Sequence, residues 1–155
     1  MSTTAPNRSI LGRVNVSYPR LQRLLVPLDF SGKSRQALRY AVPLAQKFSA
    51  RIHLVHVLPA DAKKDRDETI RERMSALKRL GQMAEQYLPP SLRAEYAVLT
   101  GKPAEAILSL VAEHSIDLIV LTAKGESGLK RTAVGRTAET IMRQAACPVM
   151  SVRRV

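Results

Sequence analysis

The segment from Thr122 to Thr137 combines residue types that bind anions. Its glycines permit close backbone approach to a ligand, its basic side chains attract negative charge, and it leads into a helix whose first amides would face an anion. The alternative is a surface loop whose glycines only turn the chain. Because a long loop without structure of its own is uncommon unless it is functional, we favour phosphate binding. The residues concerned are Lys124, Gly125, Gly128, Lys130, Arg131, Gly135 and Arg136.

Asp29 is a second candidate, because it follows the first apolar run of the chain, Arg23 to Leu28. Acidic residues at the carboxyl end of a strand often contact the ribose or adenine of a nucleotide in doubly wound folds. A local turn former that bonds backbone donors is an equal alternative. Position alone does not separate the two interpretations.

The nearby Gly32-Lys33-Ser34 sequence is only superficially a phosphate-binding P-loop. The P-loop pattern requires a glycine five residues before the Gly-Lys pair, and Pro27 occupies that position. We therefore predict a polar helix start, with Ser31 or Ser34 as the cap.

The histidines and the lone cysteine predict neither a metal site nor a hydrolase. His53 and His56 are three residues apart on a predicted strand, so they point to opposite faces. His114 is expected at a helix C-terminus, and Cys147 as a small packed residue. One cysteine excludes an internal disulfide and a Cys-rich zinc site, and it suits a reducing, cytoplasmic location.

Five apolar runs alternate with helical periodicity along the chain, which predicts an α/β fold. Near-continuous apolar strands separated by helices indicate a parallel sheet with helices on both faces, and right-handed crossovers make it doubly wound. Ligands of such sheets bind beyond the carboxyl ends of the strands. The predicted strands are 23–28, 51–58, 93–99, 117–121 and 149–153.

Length and composition limit the remaining function classes. The 155 residues suit one domain, and the net charge of +12 would attract anions. Nucleic acid is an unfavoured partner, because aromatic residues are few, the basic residues are dispersed and no recognition motif is found. No apolar run is long enough to span a membrane. Residues 1–20 are rich in small polar residues and predict a flexible extension ahead of a domain over 21–155.

Several segments, in the right order, resemble the universal stress protein domain. They are 24–31 (LLVPLDFS), 52–57 (IHLVHV), 101–107 (GKPAEAI) and the closing set 117–120 (DLIV), 135–139 (GRTAE) and 146–149 (ACPV). The resemblance covers residues 21–155. It implies a Rossmann-like five-stranded sheet in the order 3-2-1-4-5 and a homodimer formed through the last strand, with Val149 and Val152 at the contact.

The family divides into members that bind ATP or AMP and members that do not. Binders carry a glycine, two residues, a second glycine, nine residues, and then Gly-Ser or Gly-Thr. Gly125 and Gly135 match this pattern, whereas Thr122 stands at the first glycine and Arg136 at the hydroxyl position, with Thr137 one residue late. A Cβ at position 122 is expected to crowd the phosphates or to forbid the required φ.

The resemblance therefore implies a nucleotide site at the carboxyl edge of the sheet. Asp29 would lie near ribose and adenine, Val57 and its neighbours would offer backbone contacts to adenine, and the glycine loop would hold the phosphates, with Mg²⁺ if the ligand is ATP. The expected site residues are Pro27, Asp29, Val57, Thr122, Lys124, Gly125, Gly128, Gly135, Arg136 and Thr137.

The expected function is a nucleotide-binding sensor or regulator of the stress response. The chain shows no general base for more than slow ATP hydrolysis. One alternative is a family member that binds no nucleotide and acts as a dimer through an unknown protein partner. The least favoured is a phosphotransferase or adenylyl-type enzyme on the same fold.

Overall fold

Five strands and four helices alternate along the chain, as the sequence predicts. The computed structural model describes residues 20–123 and 134–153. The strands are β1 (Arg23–Pro27), β2 (Arg51–Leu58), β3 (Ala94–Thr100), β4 (Leu118–Thr122) and β5 (Val149–Val152). The helices are α1 (Gln36–Phe48), α2 (Arg66–Tyr87), α3 (Pro103–Glu113) and α4 (Arg136–Gln144).

All strand pairs are parallel, and the sheet order is β3-β2-β1-β4-β5. The predicted fold class and strand order are therefore confirmed. The strand bounds differ from the predicted ones by a residue at some ends, and β1 ends at Pro27. A proline is tolerated there because the strand's pairing stops with it.

Each face of the sheet carries its own apolar core. Successive residues of a strand contribute to different cores, since their side chains point to opposite faces of the sheet. Leu24, Val26 and Leu54 pack with α1 and α2, whereas Leu25 and Val55 pack with α3 and α4. Burial on both faces explains why the central strands read as continuous apolar runs.

Helix α2 departs in part from its predicted packing. Its buried residues all lie between Ala76 and Ala84, and none lies in its first ten residues. Ile70 and Met74 share the helical periodicity of that face but are 45% and 65% exposed. Helical spacing of apolar residues identifies the apolar face of a helix, but it does not show how much of that face the sheet covers.

The predicted extension lies outside the described residues, except for Arg20. Among the described helices, none is both long and apolar enough to cross a membrane.

Candidate functional site

The carboxyl ends of β1 and β4 are adjacent in the sheet, at the point where the strand order reverses. In open α/β sheets this switch point is the usual place for a ligand. The N-terminus of α4 lies there too, because the amide of Gly135 donates a 2.8 Å hydrogen bond to the carbonyl of Ala123, directly after β4. The fold thus brings the end of a central strand and the start of a helix together.

Asp29 forms the turn that follows β1. Its Oδ1 accepts a 2.9 Å hydrogen bond from the amide of Ser31. The hydroxyl of Ser31 in turn accepts a 3.1 Å hydrogen bond from the amide of Ser34. This bond closes the turn ahead of α1 and does not cap the helix: the N-cap is Arg35, which makes no side-chain cap hydrogen bond, so the predicted cap at Ser31 or Ser34 is wrong. The turn-former interpretation of Asp29 is therefore correct, and a contact with a ligand is compatible with it because the side chain is exposed.

The protonation state of Asp29 suits a ligand that donates hydrogen bonds. Partial burial by itself raises the pKa of the carboxyl, but hydrogen bonds from Ser31 and Ser34 outweigh it and hold the pKa below its usual value. The group is ionised at neutral pH and can only accept hydrogen bonds. Ribose hydroxyls are donors of the matching kind.

Phe30, His56 and Arg79 hold this turn in place through contacts that the sequence analysis did not predict. Phe30 adopts a left-handed backbone conformation, with φ of 63°, which is uncommon for a bulky residue. Its ring lies 4.2 Å from that of His56, centroid to centroid, and the guanidinium carbon of Arg79 lies 3.9 Å above it. Nδ1 of His56 lies 2.7 Å from the carbonyl oxygen of Leu28. Since a carbonyl only accepts, that nitrogen carries the proton.

Thr122 fits its position without backbone strain. It is the last residue of β4 and pairs with Val152 of β5. Its φ is not positive, and β-branched residues such as threonine are favoured in extended strands. This backbone therefore accommodates a Cβ at position 122, and the φ that a bound nucleotide would require there stays a prediction. Crowding of a bound phosphate by the same Cβ is a separate matter, which stays a prediction.

The start of α4 presents amides without a side-chain cap. Gly135 is the N-cap, with φ of −64° and ψ of 145°, a conformation open to any residue. Gly135 has no side chain with which to cap these amides, and the first turn of a helix leaves such donors without a partner inside the helix. Arg136 and Thr137 are exposed. Glu139, the acidic residue of the first turn, is ion-paired with Arg143 at 2.9 Å.

Seven of the ten predicted site residues fall within the described part of the chain. Thr122 and Gly135 flank the β4–α4 contact, and Arg136 and Thr137 open α4. On β1 and β2, Pro27 pairs in register with Val55, and Val57 follows two residues later on the same face. Lys124, Gly125 and Gly128 lie outside the described residues, as do Lys130 and Arg131.

His53 and His56 lie on opposite faces of β2, as predicted. His53 is 7% exposed and its Nδ1 lies 3.3 Å from Oε2 of Glu95, while its ring centroid is 6.1 Å from that of His114, the C-cap of α3. Within residues 20–123 and 134–153, no group of three His, Cys, Asp or Glu side chains is arranged to hold a metal ion.

Comparison with known proteins gives one consistent family. The sequence model of the universal stress protein family matches residues 20–153. A universal stress protein of Methanocaldococcus jannaschii is 29% identical, over 86% of this chain and 82% of the relative. Universal stress protein YxiE of Bacillus subtilis is 30% identical, over 84% of this chain and 98% of the relative.

Solved structures agree with the sequence relatives. Universal stress protein UspA from Lactobacillus plantarum superposes with a TM-score of 0.70 at 26% identity, covering 88% of this chain and all of the other. A universal stress protein in complex with cAMP has a TM-score of 0.69 at 20% identity, with coverages of 88% and 100%. One from Archaeoglobus fulgidus in complex with dAMP has a TM-score of 0.64 at 19% identity, with coverages of 87% and 100%. Because one family model spans nearly the whole described fold, the chain belongs to the universal stress protein family.

Proposed function

We propose that this universal stress protein binds an adenine nucleotide at the carboxyl edge of its sheet and acts as a sensor or regulator. The observation that carries the proposal is the start of α4, where amides without a side-chain cap are held against the end of β4 by the Gly135–Ala123 hydrogen bond. A helix start of this kind attracts phosphate through its amides and its dipole. The neighbours solved with cAMP and dAMP support an adenine nucleotide as the ligand class.

In this proposal the nucleoside lies along the ends of β1 and β2. The ionised carboxylate of Asp29 accepts hydrogen bonds from the ribose hydroxyls. Pro27 and Val57 line the adenine side, where Val57 is part of a packed apolar surface and its neighbours offer backbone groups. The left-handed turn at Phe30 fixes where the Asp29 carboxylate points.

The phosphates lie on the backbone of Gly135, Arg136 and Thr137. The amide of Arg136 replaces that of the usual serine or threonine, and its exposed guanidinium adds a bidentate donor for phosphate. Lys124, Gly125 and Gly128 complete the loop in this proposal. The ligand is ATP, accompanied by Mg²⁺, or AMP.

Regulation rather than turnover follows from the chemistry of the helix start. The carboxylate of Glu139 is committed to Arg143 and so is a poor general base. Nucleotide binding itself, rather than fast hydrolysis, is therefore the output we propose. The single cysteine suits action in the reducing cytoplasm.

Nucleotide binding is tested by thermal unfolding with millimolar ATP, ADP and AMP. A ligand at a hundredfold excess over its Kd adds about 2.7 kcal/mol, which is roughly 5–10 °C for a domain of this size. Gly135→Val should abolish the shift, because a β-branched side chain at the N-cap would block the approach of a phosphate to the backbone. Gly81→Val in α2 is the matched control, since a Cβ there meets nothing within 4 Å.

If none of the three nucleotides moves the wild-type Tm, the proposal is wrong. The departures at Thr122 and Arg136 then favour the second candidate function, a dimer that binds no nucleotide and acts through a protein partner.

We also propose a homodimer through β5, which is an edge strand. Unprotected edges pair readily. The carbonyls of Pro148 and Val152 accept hydrogen bonds from the amides of Ile119 in β4 and of Ala123 directly after it, so the alternate residue Ser151 presents its amide to the free edge. Ser151→Pro should therefore give monomers in light scattering without loss of the β4–β5 pairing.

The valines of β5 are poorer probes of this dimer. Val152 is 6% exposed and packs in the α1/α2 core, and Val149 packs against the other core. An aspartate at either position would disturb folding as well as assembly. An unchanged mass for a folded Ser151→Pro variant would exclude this edge as the dimer contact.

A further inference from the structure

Three arginines lie side by side across the amino ends of β1, β2 and β3. Arg23 and Arg51 are register partners. Arg93 immediately precedes Ala94, the partner of Ile52, and its carbonyl accepts the amide of Ile52 at 2.9 Å. We call Arg23, Arg51 and Arg93 the arginine row. At about 4.8 Å per strand, the row extends over roughly 10 Å.

Such a row is unfavourable for folding unless something offsets it, because like charges on neighbouring strands repel. Two carboxylates are close. Glu95 is ion-paired with Arg51. Asp117 lies beside β1, but its Oδ2 accepts the backbone amides of Gln22 and Arg23, both at 2.8 Å.

Arg23 and Arg93 form no ion pair among the described residues. Across the described part of the chain, no carboxylate lies within the 4.0 Å ion-pair distance of either guanidinium. Residues 1–20 contain no Asp or Glu, so that segment holds no acidic side chain to cover the row. The local excess of positive charge is therefore a property of this end of the sheet.

The arginine row borders an open groove of about 750 Å³. Its other walls are polar for the most part, with Gln22, Gln46, Ser49 and Ser91 as hydrogen-bonding side chains. The C-terminus of α1 also borders it and contributes about half a negative charge. That partial charge is smaller than the charge of two guanidinium groups that have no ion pair, and the amide of Ser49 already bonds the carbonyls of Ala45 and Gln46.

We propose that this groove is a second anion site, which binds a linear oligophosphate. Guanidinium groups pair with phosphate oxygens bidentately, and a row of about 10 Å matches several linked phosphate groups better than a single one. The groove lies at the opposite edge of the sheet from α4, so it is separate from the proposed nucleotide site.

A nucleic acid strand is the less suitable occupant. Proteins that bind single strands stack the bases on aromatic side chains. None of the described residues that line the groove is aromatic. The groove's charge is therefore arranged for phosphates rather than for bases.

The test is calorimetric titration of the full chain with inorganic tripolyphosphate at low salt. We expect binding at least tenfold tighter than that of orthophosphate. Arg93→Gln or Arg23→Gln should each weaken it about tenfold, the usual effect of losing a charged hydrogen-bonding partner, and the double variant about a hundredfold. Arg71→Gln, the same charge change on α2, and Gly135→Val, at the nucleotide site, should leave it within about twofold.

Stability without ligand gives a second readout. Because removing a like charge relieves repulsion, the Tm of Arg93→Gln should equal or exceed that of the wild type. A loss of several degrees would assign the arginine a structural role and overturn the proposal. So would equal affinity for orthophosphate, tighter binding of a single-stranded oligonucleotide, or an equal loss in Arg71→Gln. A loss only in Gly135→Val would place tripolyphosphate in the nucleotide site instead.

Discussion

The carboxyl edge of the sheet, where the strands end, and the amino edge, where they begin, present positive charge in different ways. At the carboxyl edge it comes from the backbone, through the amides at the start of α4, beside a single ionised carboxylate at Asp29. At the amino edge it comes from the side chains of the arginine row, next to a helix C-terminus. The first arrangement depends on shape and close approach, and the second on charge.

This difference predicts opposite sensitivities to substitution. A backbone site tolerates loss of a charged side chain but not an added Cβ, whereas a side-chain site tolerates local bulk but not loss of charge. Salt should weaken ligand binding at the exposed arginine row more than at the carboxyl edge, where part of the attraction is a set of directed hydrogen bonds.

The largest expected effect is on the strand that both edges share. Leu54 is fully buried in the middle of β2, so Leu54→Ala should lower the free energy of unfolding by about 2–5 kcal/mol. Denaturant unfolding measures this loss. Below the variant's melting temperature, the affinities for AMP and tripolyphosphate should both stay near wild type. Loss of both affinities in the folded variant would mean that the two sites are not local features of their edges.

The next effect separates the edges through Asp29. Asp29→Asn removes the charged acceptor and should weaken AMP binding about tenfold, while tripolyphosphate binding at the arginine row stays unchanged. Calorimetry of both ligands with this variant measures the difference. Unchanged AMP affinity would leave Asp29 as a turn former alone.

Asp29 also makes stability depend on pH in a defined direction. Because the pKa of its carboxyl is lowered on folding, the group stabilises the folded state above its ordinary pKa, and the contribution is lost as pH falls through the lowered pKa. Asp29→Asn should therefore flatten the acid limb of the stability profile. A limb of unchanged steepness would contradict the lowered pKa.

A smaller effect belongs to the amino edge. Burial, with His114, Arg51 and Arg23, lowers the pKa of His53, and Glu95 only partly opposes them. Below about pH 6.5 the imidazole of His53 binds a proton more readily in the unfolded chain than in the folded one. Acidification therefore lowers the free energy of unfolding, by at most about 1.4 kcal/mol per pH unit.

His53→Leu should remove this slope. It also replaces a ring whose Nε2 has no hydrogen-bond partner among the described residues. Denaturant unfolding between pH 7.5 and 5 measures the slope. His114→Gln, at an exposed position, is the control that should retain most of it, because burial is the largest cause of the lowered pKa of His53 and His114 a smaller one. An unchanged slope in His53→Leu would assign the proton to another group.

The smallest effect concerns the stack behind Asp29. Arg79→Gln removes the cation from the face of Phe30 and should cost about 0.5–1 kcal/mol of stability. It should weaken AMP binding slightly, since the left-handed turn is less firmly held, without any effect on tripolyphosphate. Arg79→Lys should restore part of the stability, and a loss of tripolyphosphate binding would contradict the separation of the edges.

The fold was predictable because each buried strand is a continuous apolar run between helical segments. The turn at Asp29 was predictable too, because it depends only on local sequence: short polar side chains bond nearby backbone amides. The left-handed Phe30 and the reach of Arg79 across it were not, because both depend on tertiary contacts between β1, β2 and α2. The exposure of Ile70 and Met74 was not predictable either, since helical spacing does not show which part of an apolar helix face packs on the sheet.

The arginine row had a sequence signal that only topology makes meaningful. An arginine stands at the start of the first and second predicted strands and at the start of the third, and parallel strands align their amino ends. Which strands are neighbours, and in what register, is a property of the whole sheet. The residues of the glycine loop from 124 to 133 lie outside the described residues, and their part in the site stays a prediction.

The central claim is that the two edges carry independent anion sites, and competition between their ligands tests it most directly. AMP is titrated into the wild-type protein alone and into protein saturated with tripolyphosphate. The account predicts the same AMP affinity, within about twofold, in both titrations, because the ligands lie at opposite ends of the strands. Displacement of AMP by tripolyphosphate, with an apparent Kd that rises in proportion to its concentration, would show one shared site and contradict the account.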